Sequence, residues 1–198
     1  SDGVFPDMDS AITAADLAWR RYLDCSMKDR ARFVKAIRDV ALLPENLEYM
    51  ARSCVEQTGM GNVPDKIAKN RAAAELTPGT EDLITEAWSG DDGLTTIEIS
   101  PFGVIGAITP TTNPTETIIN NAIGMLAAGN AVVFSPHPRA TQISHWLIRK
   151  INEALAAAGA PPNLVVTVEE PSIENTNAMM AHKLVRLLVA TGGPGIVK

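Results

Sequence analysis

Three stretches hold the residues best suited to chemistry, and each falls just after an apolar run. Thr191-Gly192-Gly193-Pro194-Gly195 precedes Ile196-Val197-Lys198, the first residues of what should be a helix. Glycines let a backbone approach a ligand closely, and N–H groups at a helix start stabilise negative charge, so a pyrophosphate is the natural guest. The segment is not the G-x-G-x-x-G dinucleotide fingerprint, and a tight turn with no ligand also fits it. Asn113, between Thr112 and Pro114, could donate its side-chain amide to a developing oxyanion, a contribution of roughly several kcal/mol in acyl chemistry. Asn-Pro is also a strong turn signal, so the side chain could instead satisfy local backbone. His137, between Pro136 and Pro138, could stack on or hydrogen-bond a nucleotide, or stand solvated in its loop. His145 and His182 sit on helical segments without partner spacing, and no pattern suggests a metal site or a Ser-His-Asp arrangement. Cys54 lies on an apolar helical stripe and reads as a small core residue. Cys25 follows Asp24, and an acidic neighbour raises a thiol pKa, which disfavours a thiolate nucleophile.

The elements that must position these loops are written in the periodicity. Ile12, Ala15, Trp19, Tyr22 and Leu23 share one helical face, with Asp9 or Ser10 as N-cap. Ser26 and Asp29 form an acidic relative of the capping box ahead of Phe33, Val34, Ile37, Val40 and Ala41. Leu43-Pro44 stops that helix; the next carries Leu47, Met50, Ala51, Cys54 and Val55 and ends at Gly59, a suitable left-handed cap. Pro64-Asp65 can open a further helix, broken by Pro78-Gly79. Asp91-Asp92-Gly93 turns into residues 94–99, whose Thr and Ile predict a half-exposed strand.

Beyond Pro101 the texture changes. Apolar runs at 104–109, 131–134, 164–168 and 185–190 read as strands, the first two buried on both faces. Between them lie helical stripes: Ile118, Ile119, Ala122, Ile123 and Leu126, then Ile143, Leu147, Ile151 and Leu155, then a helix capped by Ser172 in which Met179-Met180 serves packing. Such alternation specifies a doubly wound α/β parallel sheet preceded by a helical segment. Ligands bind such sheets at the carboxyl ends of the strands, where 110–114, 135–138 and 191–195 fall. The last strand lacks the helix that should cover it, so the sequence reads as a larger domain cut short.

Composition narrows the classes. Of 198 residues, 45% are hydrophobic and 20% charged, an ordinary globular balance. Seventeen Lys and Arg against 23 Asp and Glu give a net charge of -6, which argues against a nucleic-acid binder. No run approaches the roughly 20 apolar residues that span a bilayer, and no signal peptide opens the chain, so a cytoplasmic location is the default. Two cysteines exclude a disulfide framework.

Taken together, ordered motifs resemble the aldehyde dehydrogenase superfamily: Glu56-Gln57-Thr58-Gly59-Met60-Gly61, Asp65-Lys66-Ile67-Ala68-Lys69-Asn70, and Pro101-Phe102-Gly103-Val104-Ile105. Thr109-Pro110-Thr111-Thr112-Asn113-Pro114-Thr115, Ser135-Pro136-His137-Pro138 and the Thr191-Gly192-Gly193 loop resemble its CoA-acylating branch. Ile119-Asn120-Asn121-Ala122-Ile123 with Ala127-Ala128-Gly129-Asn130 is more similar to the microcompartment type. The resemblance implies that a small aldehyde, CoA and NAD+ give acyl-CoA and NADH through a cysteine thioester. It makes Asn113 the amide that stabilises the oxyanion. It assigns Thr109, Pro110, Thr111 and Thr112 to the nicotinamide side, Ser135, Pro136, His137 and Pro138 to a cleft shared by CoA and NAD, and Thr191, Gly192 and Gly193 to the pyrophosphate.

Hydrolytic relatives carry Lys-Pro-x-Glu where this chain has Ser135-Pro136-His137-Pro138, which removes the ordinary adenosine-ribose contacts, and they usually have Trp at the place of Thr112. The resemblance places the nucleophilic cysteine beyond Lys198, and neither Cys25 nor Cys54 matches it. The implied organisation is a helical part over 1–93, an oligomerisation arm over 94–101 and a truncated nucleotide-binding part over 102–198. A homo-oligomer, and residence in a bacterial microcompartment with its shell as partner, are further implications. The aldehyde half of a bifunctional aldehyde–alcohol dehydrogenase and a non-catalytic nucleotide-binding or assembly module are the alternatives.

Overall fold

The computed structural model describes residues 2–193. Its organising element is an all-parallel five-stranded sheet built from β1 (Val4–Phe5), β4 (Val104–Ile108), β5 (Ala131–Ser135), β6 (Val165–Val168) and β7 (Val185–Ala190), in the order β1-β6-β5-β4-β7. Every residue of β4, β5 and β6 is buried, as the continuous Val, Ile and Ala runs require of central parallel strands. Edge strand β7 instead alternates, its inner residues half-buried and its outer ones, Arg186 and Leu188 among them, exposed.

The chain leaves β4 through α5 (Pro114–Ala127) to β5 and through α6 (Thr141–Ala157) to β6. It then returns through α7 (Ile173–Ala181) to β7 on the far side of β4. Right-handed crossovers in opposite directions put α5 and α6 on one face and α7 on the other. Helix α1 (Met8–Tyr22) packs beside α7, while α2 (Met27–Leu42), α3 (Pro44–Thr58) and α4 (Val63–Leu76) form an outer layer over α5 and α6. One hydrophobic cluster runs from Met8 to Met179 through all of them. The doubly wound α/β sheet is the one the alternation predicts.

The helix ends follow their local chemistry. Ser26 and Asp29 close a full capping box on α2, and Gly59 ends α3 at φ 69°. The α1 cap is Asp7, not Asp9 or Ser10: its carboxylate accepts from the Ser10 N–H at 2.8 Å. Strand β1 gave no periodic signal because two residues cannot show a period; pairing of Val4 with Thr167 and Phe5 with Val168 creates it. The largest departure is at 86–97. In place of one half-exposed strand over 94–99 stands an antiparallel hairpin, β2 (Glu86–Gly90) and β3 (Gly93–Ile97), with every residue exposed. Glu86, Ser89 and Gly90 are poor strand formers, so β2 exists through its pairing and not through propensity. Among the described residues no helix is long and apolar enough to cross a membrane.

Candidate functional site

The strand order reverses between β4 and β7: from β4 the chain moves through β5 to β6, then returns to β7 on the other side of β4. Sheets of this kind leave a ligand crevice at that point. Two backbone hydrogen bonds fix its walls: Thr191 N–H donates to the Ile108 carbonyl at 3.1 Å, and Thr109 N–H to the Ser135 carbonyl at 3.2 Å. The crevice is a cleft of about 610 Å³ walled by Pro110, Thr111, Thr112, Asn113, His137, Thr191, Gly192 and Gly193, with Met60 reaching in from the turn after α3.

A second cavity of about 520 Å³ lies beyond His137, between the end of β5 and α7. Thr109, Ser135, Pro136, His137 and Pro138 line it, with Ile173 and Met180 supplying apolar wall. All twelve residues that the sequence singles out for catalysis or cofactor binding therefore line one or other of two cavities that meet at His137. Pro194, Gly195 and the helix expected at 196–198 lie outside the described residues.

Several atoms here lack the partners that an empty turn would provide. Thr109 is buried, and its Oγ1 has no hydrogen-bond partner among the described residues. Among the described residues, a Cβ added at Gly193 would meet no heavy atom within 4 Å, and its φ is not positive. His137 Nδ1 accepts from the Arg139 N–H at 3.1 Å, which leaves the ring proton on Nε2. Ser135 Oγ and Thr176 Oγ1 are 2.7 Å apart and tie β5 to α7.

Asn113 stands at the N-cap of α5, where asparagine ordinarily turns its side-chain oxygen onto the first-turn N–H groups. It makes no such bond. Its Oδ1 instead faces two ammonium groups, Lys66 Nζ at 3.4 Å and Lys69 Nζ at 3.5 Å. The local-backbone role open to it from sequence is therefore not the one its side chain takes. Lys66 is buried and also donates to the Thr112 carbonyl and, at 3.2 Å, to Glu116 Oε1.

Neither Lys66 nor Glu116 stands out by residue type alone. The signal lies in spacing: Lys66, Asn70 and Ala74 are the buried residues of α4, one turn apart, so the lysine occupies the core-facing stripe. The Met179-Met180 pair also divides. Met179 packs against Gly106 of β4, where a Cβ would come within 3.1 Å of its Cγ, whereas Met180 lines the second cavity.

The cysteines stand away from this chemistry. Cys54 is fully buried, 3.4 Å from Thr115 Oγ1, and burial pushes its thiol up from the ordinary value. Burial raises the Cys25 thiol as well, with Asp29 next in importance and Asp24, the neighbour evident in sequence, behind it. His145 is held below its usual range chiefly by burial, its Nε2 2.9 Å from the Val168 carbonyl. His182 pairs with Asp9 at 3.1 Å and lines neither cavity.

Comparison with known proteins agrees with this architecture. The aldehyde dehydrogenase family model matches residues 3–198. The chain is 50% identical over 196 residues to the CoA-propanoylating propanal dehydrogenase of Citrobacter freundii, covering 99% of this chain and 42% of that protein. The crystal structure of Rhodopseudomonas palustris propionaldehyde dehydrogenase with bound propionyl-CoA is 70% identical with a TM-score of 0.97, over 98% of this chain and 43% of that one. An engineered glycolyl-CoA reductase with bound NADP+ is 69% identical with a TM-score of 0.97, over 98% of this chain and 44% of that one. The chain thus spans less than half the length of the proteins it matches. Matched along nearly all of its own residues by one family model, and sharing the fold of solved relatives, it belongs to the aldehyde dehydrogenase family.

Proposed function

We propose that these residues form the nucleotide-binding part of a CoA-acylating aldehyde dehydrogenase, which converts a short aldehyde, CoA and NAD+ to acyl-CoA and NADH. The observation that carries the reading is the Asn113 amide, whose oxygen is held by two lysines while no hydrogen bond among the described residues engages its Nδ2. When a cysteine thiolate adds to an aldehyde carbon, the carbonyl oxygen gains negative charge, and an N–H already aimed at that oxygen lowers the barrier. In this reading the thiolate comes from the part of the relatives that this chain does not span, and burial raises both thiols present here, Cys25 and Cys54.

The residues of the two cavities fit a dinucleotide. Thr109 Oγ1 is an orphaned buried hydroxyl, Gly193 leaves room for close backbone approach, and His137 has Nε2–H to donate. Bound there, NAD+ supplies the hydride acceptor. The NADP+ of the engineered relative makes the phosphorylated dinucleotide a second occupant of the same walls. CoA would share the cleft through Ser135, Pro136, His137 and Pro138, where the lysine and glutamate of hydrolytic relatives are absent.

In the intact enzyme, Asn113→Ala is expected to lower kcat by about 10²–10³-fold while changing the KM for NAD+ little. Unchanged turnover would remove Asn113 from the mechanism and this reading with it. The exposed β2–β3 hairpin, with Trp88, Leu94 and Ile97 uncovered, supports its role as the oligomerisation arm. Microcompartment residence rests on the motif variant at 119–130; co-sedimentation of the intact enzyme with shells tests it.

A further inference from the structure

We infer that Lys66 and Glu116 form a buried positioning pair that locks the Asn113 amide with its NH2 toward the cleft; this rests on the reading of Asn113 as oxyanion donor. A lysine is almost never fully buried unless paired. Lys66 is 2% exposed, and its ammonium has three protons and no acceptor. Three oxygens meet them: the Thr112 carbonyl, Asn113 Oδ1 at 3.4 Å and Glu116 Oε1 at 3.2 Å.

A side-chain amide can sit in two orientations related by a half turn. With Lys66 and Lys69 Nζ at 3.4 and 3.5 Å, the reversed orientation would set NH2 against two ammonium groups, donor against donor. Only one orientation is left, and it frees Nδ2. The ammonium also draws electron density toward Oδ1, which makes the N–H a stronger donor.

Glu116 anchors the ammonium to the first turn of α5, the same helix that carries Asn113 at its N-cap. Its other oxygen accepts from Thr115 Oγ1 at 3.1 Å, and Thr115 Oγ1 lies 3.4 Å from Cys54 Sγ on α3. The pair is therefore fixed from α3, α4 and α5 together. Stability does not account for it, since well-packed apolar residues replace buried ion pairs at little loss and often with gain. Orientation of the neighbouring amide does account for it.

The test is a double-mutant cycle in the intact enzyme, read as kcat, as KM for NAD+ and CoA, and as melting temperature. Lys66→Met is expected to lower kcat about 10–100-fold, less than Asn113→Ala, with both KM values within about twofold. Removing one partner leaves Glu116 buried and uncompensated, so Lys66→Met with Glu116→Gln is measured alongside. This neutral pair should recover the melting temperature and keep the loss in kcat. In an Asn113→Ala background Lys66→Met should cost less than about twofold more. Multiplicative losses in that background, or wild-type kcat in the neutral pair while Asn113→Ala is impaired, would overturn the positioning role alone. Full activity of Asn113→Ala would overturn the oxyanion reading beneath it.

Discussion

The crevice between β4 and β7 and the hairpin at 86–97 are opposite solutions to placing a loop. Two of the crevice loops hang from β4 and β5, whose every residue is buried, the third from the half-buried edge strand β7, and backbone bonds from Thr109 and Thr191 tie the loops to neighbouring strands. The hairpin has only its own antiparallel pairing, with Trp88, Leu94 and Ile97 open to solvent. A loop that must hold an amide in place needs a rigid base. A two-stranded ribbon without a core has no independent stability and gains it from whatever covers it. The difference is between a region braced by the core and one that lies open, and it accords with the proposed roles of the first in holding a small ligand and of the second in meeting another protein surface.

Substitutions can break or sharpen that contrast. The largest effect is expected in the base of the crevice: Phe134→Ala, deleting a fully buried ring of β5, should destabilise the fold by about 3–5 kcal/mol in denaturant titration. Trp88→Ser with Leu94→Ser should leave the protomer's unfolding within about 0.5 kcal/mol of the wild type. The same pair should shift the intact enzyme to a smaller species in light scattering. If it destabilised the protomer as much as Phe134→Ala, the contrast between the regions would collapse. Gly193→Val should raise the KM for NAD+ several-fold without moving the melting temperature, because no described residue crowds that position. A drop in melting temperature would instead make Gly193 a packing residue.

The smallest effect concerns pH. Burial pushes the Tyr22 hydroxyl well above the ordinary tyrosine range, and Tyr22 Oη donates to the Leu126 carbonyl at 2.8 Å. The folded chain thus keeps this proton where the unfolded chain loses it. Its contribution is complete below the unfolded tyrosine value of about 10 and declines as pH rises above it. Tyr22→Phe should flatten that part of the alkaline decline in melting temperature; equal slopes for both proteins would refute the assignment.

How much of this was legible in the sequence follows from what each feature depends on. Strands β4, β5 and β6 and their loops were readable because a strand buried on both faces needs an uninterrupted apolar run, and the run itself marks where the loop begins. The caps at Ser26 and Gly59 were readable because their chemistry is local. Strand β1 and the first hairpin strand were not, since each exists through pairing with residues far along the chain or across a turn. Lys66 was hidden for a related reason. A lysine reads as solvated until the oxygens that surround it arrive from Thr112, Asn113 and Glu116 on another part of the chain. The loop residues that line the two cavities were visible, and the buried lysine behind Asn113 was not.

The pairing of β1 with β6 also bears on how the chain is made. Val4 leaves the ribosome before the helices of the outer layer, yet its partner Thr167 emerges only after them. Until then α1 can meet β4 and β5 but not β6, and its buried face, with Ile12 and Ala15, is only partly covered. Bringing such distant segments together carries a loop-closure penalty that local helices avoid, so this edge of the sheet forms late. Of the five strands of the sheet, the one synthesised first is thus among the last to find its place, and intermediates of this kind expose apolar surface in the interval.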